Sequence, residues 1–370
     1  MKPTVVLASI LKPVDDVRLY QKIGQSLANQ YPDTDFHFIG FASQTPSFSK
    51  STNVYFHPLY AFKRLSSQRL FAGIRFFRKL WRLQPQIVVV ATFELLLPVY
   101  FYRWFRKVRI VYDVQENYYR NIRYTQVFPT LLRRLLANNV RLIERFCHHR
   151  ITQYLLAEAC YYQEMPFMQH KATIVANKVK RFAISPQPSI PGRLVYSGTI
   201  SKDYGVFRAI HWAAQLHQKH SEISLVIIGF CPNVQDWQQL QLWLEKHSFI
   251  QLIGGQKIVP HQEILKALQQ AQFALLPYQV NKSVAGRIPT KFYECAALQT
   301  PMLVQTNPAW QSFIEKYPAG TFIDFDDATN TSQIWENIQQ NTYYQQTPTD
   351  EDIFWESEEK KLLATWKKLI

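Results

Sequence analysis

Short runs of β-branched and apolar residues alternate with helix-spaced stretches along this chain, which leaves few folds open besides a parallel sheet wrapped by helices. In the first half the pattern predicts strands at 5–10, 35–42, 54–56, 87–91, 109–113 and 151–153. Between them it predicts helices at 14–29, 62–83 and 97–105, and a long helical region ending near Cys147. The stretch Ile184-Ser-Pro-Gln-Pro-Ser-Ile-Pro-Gly192 then interrupts the alternation with three prolines and no helical period. Past it the pattern resumes, with strands at 194–196, 224–228, 250–253, 273–277, 302–305 and 320–323 and helices at 206–220, 234–247, 261–270 and 290–298. The expected architecture is α/β, with two doubly wound, Rossmann-like domains facing a cleft. Its parts are domains at 1–176 and 193–350, a linker at 177–192 and a terminal amphipathic helix at 351–370. Phe354, Trp355, Leu362, Leu363 and Trp366 occupy the apolar positions of that tail, which is expected to pack back toward the first domain.

Length and composition agree with two folded domains: 370 residues, 47 % hydrophobic and 19 % charged. The charge is unevenly placed. Residues 1–176 carry 24 Lys/Arg against 10 Asp/Glu, and the remainder 18 against 17. Within the basic half, segments 62–82 and 100–107 mix large apolar side chains with cations at helical spacing, as helices lying on an anionic membrane do. The apolar run 87–105 is broken by Glu94 and Pro98 and ends among arginines, so a buried strand and helix are expected there, not a membrane span. The four scattered cysteines suggest neither a disulfide framework nor a metal site, and the first residues lack the pattern of a secretory signal. The expected location is cytoplasmic, peripheral on the inner face of the membrane.

The segment most suggestive of chemistry is Gly286-Arg-Ile-Pro-Thr-Lys-Phe-Tyr-Glu294. Pro289 suits a first helical position, and the helix start offers backbone N–H groups and a positive dipole end to an anion. Arg287, Thr290 and Lys291 flank that start, and Glu294 lies one turn in, where a carboxylate can accept two hydrogen bonds from a ribose diol. Gly198-Thr-Ile-Ser-Lys-Asp-Tyr-Gly205 is a strand-to-helix loop whose backbone, Thr199, Ser201 and Lys202 can approach phosphate oxygens.

These segments resemble the donor site of GT-B-fold glycosyltransferases, especially the retaining family four of bacterial polysaccharide and glycolipid synthesis. Pro289, Lys291 and Glu294 match the Pro-x-Lys-x-x-Glu pattern of many relatives. Segment 194–200 resembles the first strand and glycine loop of the family's second domain, 225–229 its next strand and turn at Gly229, and 253–255, with Gly254, the loop that faces the nucleobase. Asp15-Asp-Val-Arg18 is similar to the family's first-loop motif, and Val111-Tyr-Asp-Val-Gln-Glu116 to its Asp-x-x-Glu segment. Gly286 stands where the family often has a first glutamate, and Thr199 and Tyr204 where relatives carry Arg and Lys. The resemblance implies transfer of a sugar, of hexosyltransferase type, from a nucleotide-diphosphate sugar to a lipid-linked or polysaccharide acceptor.

Glu94, Asp113 and Glu116 fall at carboxyl ends of predicted strands, and Asp113 with Glu116 is the candidate catalytic pair if the reaction needs a general base. Asp324-Phe-Asp-Asp327 has the form of a metal-binding Asp-x-Asp, but loop and capping use is expected. The expectation is therefore no metal and no cofactor beyond the donor itself. A sugar-nucleotide epimerase and a non-catalytic scaffold are the alternatives on the same fold. Nucleic acid is not an expected partner, because the cations are interleaved with aromatics and no nucleic-acid module is recognisable.

Overall fold

A computed structural model describes residues 2–43, 51–62, 66–124, 129–327 and 329–370. Contacts divide the chain into two units, Met1–Lys180 with Trp355–Ile370, and Arg181–Phe354. Each is a parallel sheet covered by helices on both faces.

The first unit contains β1 (Thr4–Pro13), β2 (Asp35–Phe41), β3 (Val54–Tyr60), β4 (Ile87–Val90), β5 (Arg109–Val114), β6 (Ile151–Leu156) and β7 (Ala172–Ile174), in the order β3-β2-β1-β4-β5-β6-β7. The second contains β8 (Arg193–Thr199), β9 (Ser224–Phe230), β10 (Ile250–Gly255), β11 (Phe273–Leu276), β12 (Met302–Gln305) and β13 (Gly320–Ile323), in the order β10-β9-β8-β11-β12-β13. Strand order reverses between β1 and β4 in one sheet and between β8 and β11 in the other. Such reversals open a crevice at the carboxyl ends of the strands.

Central strands are apolar on successive residues because both faces are covered. In β1, Val5 and Leu7 enter one core while Val6, Ala8 and Ile10 enter the other. In β9, Leu225 and Ile227 face one core, and Val226 and Ile228 the opposite one.

Several predicted helices are divided. Segment 14–29 is a π-helical stretch, Val17–Gly24, continued by an α-helix, Gln25–Gln30. It starts three residues late because Asp16 caps it, accepting from the N–H groups of Arg18 and Leu19. Of segment 62–83, residues 63–65 lie outside the described residues; Ser67–Phe71 is a 3₁₀ turn capped by Ser66, and Ala72–Leu83 is α-helical. The region before Cys147 holds two helices, Tyr118–Tyr124 and Thr130–Cys147.

The tail is also two helices, Asp350–Ile353 and Trp355–Trp366. Phe354 between them is extended, with φ −100° and ψ 147°. It stays with the second unit, near Phe182 and under the Arg181 guanidinium. The second helix joins the first unit, burying Trp355, Leu362 and Trp366 in the β1–β4 core. The Trp355 N–H donates to the Val179 carbonyl (2.7 Å) and its indole N–H to Ser26 Oγ (3.1 Å). Buried Glu358 accepts from the Ala176 N–H (3.0 Å), Lys178 (2.7 Å) and Lys361 (2.8 Å).

Candidate functional site

In the second unit Gly198, Gly229 and Gly254 are paired on one rung across β8, β9 and β10. Each has positive φ (119°, 152° and 98°). A Cβ on Gly229 would sit 1.7 Å from the Gly198 carbonyl oxygen, and one on Gly254 would sit 2.4 Å from the Gly229 oxygen. Only glycine lets the three strand ends close up and turn out of the sheet this way. The predicted glycines thus form one continuous backbone ledge at the carboxyl ends of the strands.

The Thr290–Leu298 helix starts beside this ledge. Pro289 is its cap residue (φ −57°, ψ 142°), one position earlier than expected, and no side chain caps the start. The Lys291 Cε lies 3.6 Å from where a Cβ on Gly198 would be, so the helix start and the first glycine loop meet at the β8/β11 reversal. Lys291 also donates to Oε2 of Glu294. Glu294 is buried, and its Oε1 is paired with His261 Nε2 at 3.1 Å. Burial alone would raise the Glu294 pKa; the adjacent Lys291 charge and the His261 contact outweigh it and hold the carboxyl at about 2.

His261 was not singled out from the sequence. It is the first residue of the His261–Gln269 helix, which like the Thr290 helix begins directly after a proline, Pro260. That shared Pro-start is the signal that could have found it. Its side chain is half exposed, so it both touches Glu294 and faces solvent.

The other predicted positions sit as follows. Thr199 ends β8 and Lys202 lies in the turn that follows, both exposed, and the Lys202 N–H donates to Asp236 (3.2 Å). Ser201 departs from expectation: its side chain is turned inward to cap the Lys202–Tyr204 turn, where Oγ accepts from the Tyr204 N–H (3.4 Å). Arg287 lies in the turn before the helix, with its carbonyl fixed by the Trp310 indole N–H at 2.6 Å.

The acids of segment 324–327 serve the loop. Asp326 forms two 2.6 Å bonds with Arg208. Asp324 accepts from the Asp326 N–H (3.0 Å), and Asp327 from Thr329 (2.9 and 2.6 Å).

In the first unit Asp113 does not have the setting of a proton acceptor, and that expectation is corrected. Its side chain is wholly buried, with Arg18 Nε at 3.1 Å from both oxygens, Arg18 Nη2 at 2.7 Å and Gln115 Nε2 at 2.9 Å. The remaining Arg18 nitrogen donates to the Val175 carbonyl (2.9 Å). Asp113 is the anchor of this buried cation. Glu94 is likewise paired with Arg69. Glu116 differs: it is half-buried, accepts from Asn121 Nδ2 at 2.7 Å, and lines a recess of about 250 Å³ with Ile10, Leu11, Lys12 and Phe41.

Residues 179–343 match the family described as Glycosyl transferases group 1. No curated protein matches the chain in sequence. Among solved structures it is similar to sucrose-phosphate synthase from Thermosynechococcus elongatus, with a TM-score of 0.74, 11 % identity and coverage of 100 % of this chain and 99 % of that one. It is similar to Anabaena HepE in complex with UDP and glucose (TM-score 0.67, 10 % identity, 98 % and 99 % covered). It also resembles UDP-GlcNAc 2-epimerase from Methanocaldococcus jannaschii (TM-score 0.55, 11 % identity, 99 % and 100 % covered). Two parallel sheets of seven and six strands give the chain the GT-B fold, and the segment that matches the group 1 glycosyl transferases, residues 179–343, covers most of its second unit.

Proposed function

We propose that the chain transfers a hexose from a nucleoside-diphosphate sugar to a lipid-linked or polysaccharide acceptor at a membrane surface, by the route of the retaining family four. The observation that carries this reading is the joining of Lys291, Glu294 and His261 at a helix start beside the Gly198–Gly229–Gly254 ledge. In this reading the ledge receives the diphosphate, and Lys291, Arg287 and the helix N–H groups meet its charge without a metal. Their charge is worth most when the diphosphate leaves. Glu294 holds the ribose, and the recess at Glu116 belongs to the acceptor. If the outcome is inversion, Glu116 takes the acceptor proton. The UDP and glucose bound to HepE support a uridine donor here.

No described helix is long and apolar enough to cross a membrane, so attachment in this reading is peripheral. The epimerase alternative finds its support in a more distant structural likeness and predicts turnover of donor without acceptor.

The test is thermal shift and transfer kinetics with UDP and UDP-sugars, for the parent and Glu294→Ala. A ligand at 100 times its Kd stabilises its binding state by about 2.7 kcal/mol. The expected result is a nucleotide-dependent rise in Tm that the variant loses. Equal shifts and equal donor dependence in both proteins would sink the assignment.

A further inference from the structure

Three helices of the first unit, Ala72–Leu83, Leu96–Phe105 and Thr130–Cys147, pack in sequence against the same sheet core and carry apolar residues on their outer faces as well. On the last, Leu131, Leu135 and Leu142 are 72, 60 and 66 % exposed, and Phe146 continues the stripe at helical spacing. On the middle helix Trp104 and Phe105 are 60 and 62 % exposed. Leu70, Ile74 and Trp81 extend the pattern along the first helix and its lead-in turn.

Ring contacts link the three helices, two of them through the buried ring of Tyr100. Phe146 lies 4.9 Å from Tyr100, Tyr100 lies 6.0 Å from Trp104, and Phe105 lies 5.8 Å from Trp81. A contiguous exposed apolar area of this extent is rare on a protein that meets only water.

Its charge selects the occupant. Arg75, Arg78, Arg82, Arg106, Arg134 and Arg145 are exposed among these side chains. The only carboxylate on the three helices, Glu144, is buried against Tyr112 and Arg141. A second copy of this face would set arginines against arginines with nothing to neutralise them. Nucleic acid would satisfy the cations but leave the leucines and tryptophans ungratified. A bilayer with anionic headgroups satisfies both, taking the apolar side chains to the acyl boundary and the guanidinium groups to the phosphates.

We propose that this three-helix face is the surface by which the protein docks on anionic membranes. It rests on the peripheral membrane action proposed above, and adds which face of the first unit meets the lipid. The Thr130–Cys147 helix supplies its longest apolar stripe. The Tyr118–Tyr124 helix, which follows directly on Glu116, packs against that same helix, so the docked surface is linked to the acceptor recess by a short rigid path.

The experiment is flotation of the full chain with vesicles of phosphatidylcholine alone or mixed with phosphatidylglycerol, without donor. The parent is expected to float only with the mixed vesicles. Leu131→Ser/Leu135→Ser/Leu142→Ser, on exposed positions, is expected to weaken that binding about tenfold or more, and Arg78→Glu/Arg134→Glu to abolish the preference for anionic lipid. Both variants keep the nucleotide-induced Tm shift measured without vesicles, so loss of docking is read separately from loss of donor binding. Absence of vesicle binding by the parent overturns the proposal, as does undiminished binding by the serine variant. So does a dimer that the serine change abolishes, or tighter binding to an oligonucleotide than to mixed vesicles at the same salt.

Discussion

Glu294→Gln tests the proposed donor site through stability alone, without knowledge of the substrate. The parent carboxylate is buried, bonded by Lys291 on one oxygen and paired with His261 on the other, and its pKa is held at about 2 against an ordinary 4.5. A carboxyl depressed by that amount favours the folded state by about 3 kcal/mol at neutral pH. The sign follows from which state binds the proton. The unfolded chain protonates at its ordinary value and the folded chain only near 2, so the contribution is complete above about pH 4.5 and disappears as pH falls toward 2. Glutamine keeps the shape and one acceptor but cannot ionise. Urea unfolding of both proteins, followed by tryptophan fluorescence at a series of pH values, gives the difference directly, since other titrating groups cancel. The variant should be less stable by about 3 kcal/mol at neutral pH, with the two curves converging below pH 4.5. A difference that stays constant through the acid range would show that the carboxylate is not held by these partners, and the site geometry would have to be abandoned.

Two other substitutions probe the scaffold around the two sites. Gly229→Ala drives a Cβ into the Gly198 carbonyl at 1.7 Å and at positive φ, so it should disrupt the ledge and abolish the UDP-induced Tm shift, whereas an unaltered shift would remove the ledge from the donor site. Asp113→Asn leaves Arg18 charged and buried without its counter-ion, a change that typically costs about 3–5 kcal/mol; full stability in urea with lost transfer would instead restore Asp113 as a catalytic group.

The fold was legible where local pattern and burial coincide. β12 and β13 and the Thr290–Leu298 helix run from the first to the last residue expected, because proline marks the helix start and short apolar runs mark the strands. β7 was missed: three half-buried residues on a sheet edge carry neither an apolar run nor an alternation. The break at Phe354 was equally hidden, since an apolar residue there continues the helical pattern of the tail. The extended residue coincides with the point where the chain leaves the second unit for the first. Among the candidate site residues, the glycines, Lys291 and Glu294 stand out in the sequence because each belongs to a contiguous motif. Asp113 was misread because its partner Arg18 lies 95 positions earlier, and His261 was missed because it reaches Glu294 across 33 positions. Local spacing locates turns and helix starts; it does not say which distant charge a carboxylate will meet.

Under the proposed function, a donor would have to be held without an acidic residue at position 286, where the chain has glycine. A family carboxylate there would contact the sugar directly, and its absence leaves Lys291 and Glu294 as the charged pair at the helix start. Lys291 is already beside the Gly198 turn, so a diphosphate on the ledge would compete with Glu294 for the same ammonium group. Under the proposed function, Lys291 would turn to phosphate and release Oε2 of Glu294 to accept from a ribose hydroxyl, with His261 still paired to Oε1. In this reading the donor would exchange the Lys291–Glu294 pair for a Lys291–phosphate pair, while the ribose hydroxyl and His261 would keep both Glu294 oxygens hydrogen-bonded. Binding then draws on a preorganised pair instead of having to order loose side chains.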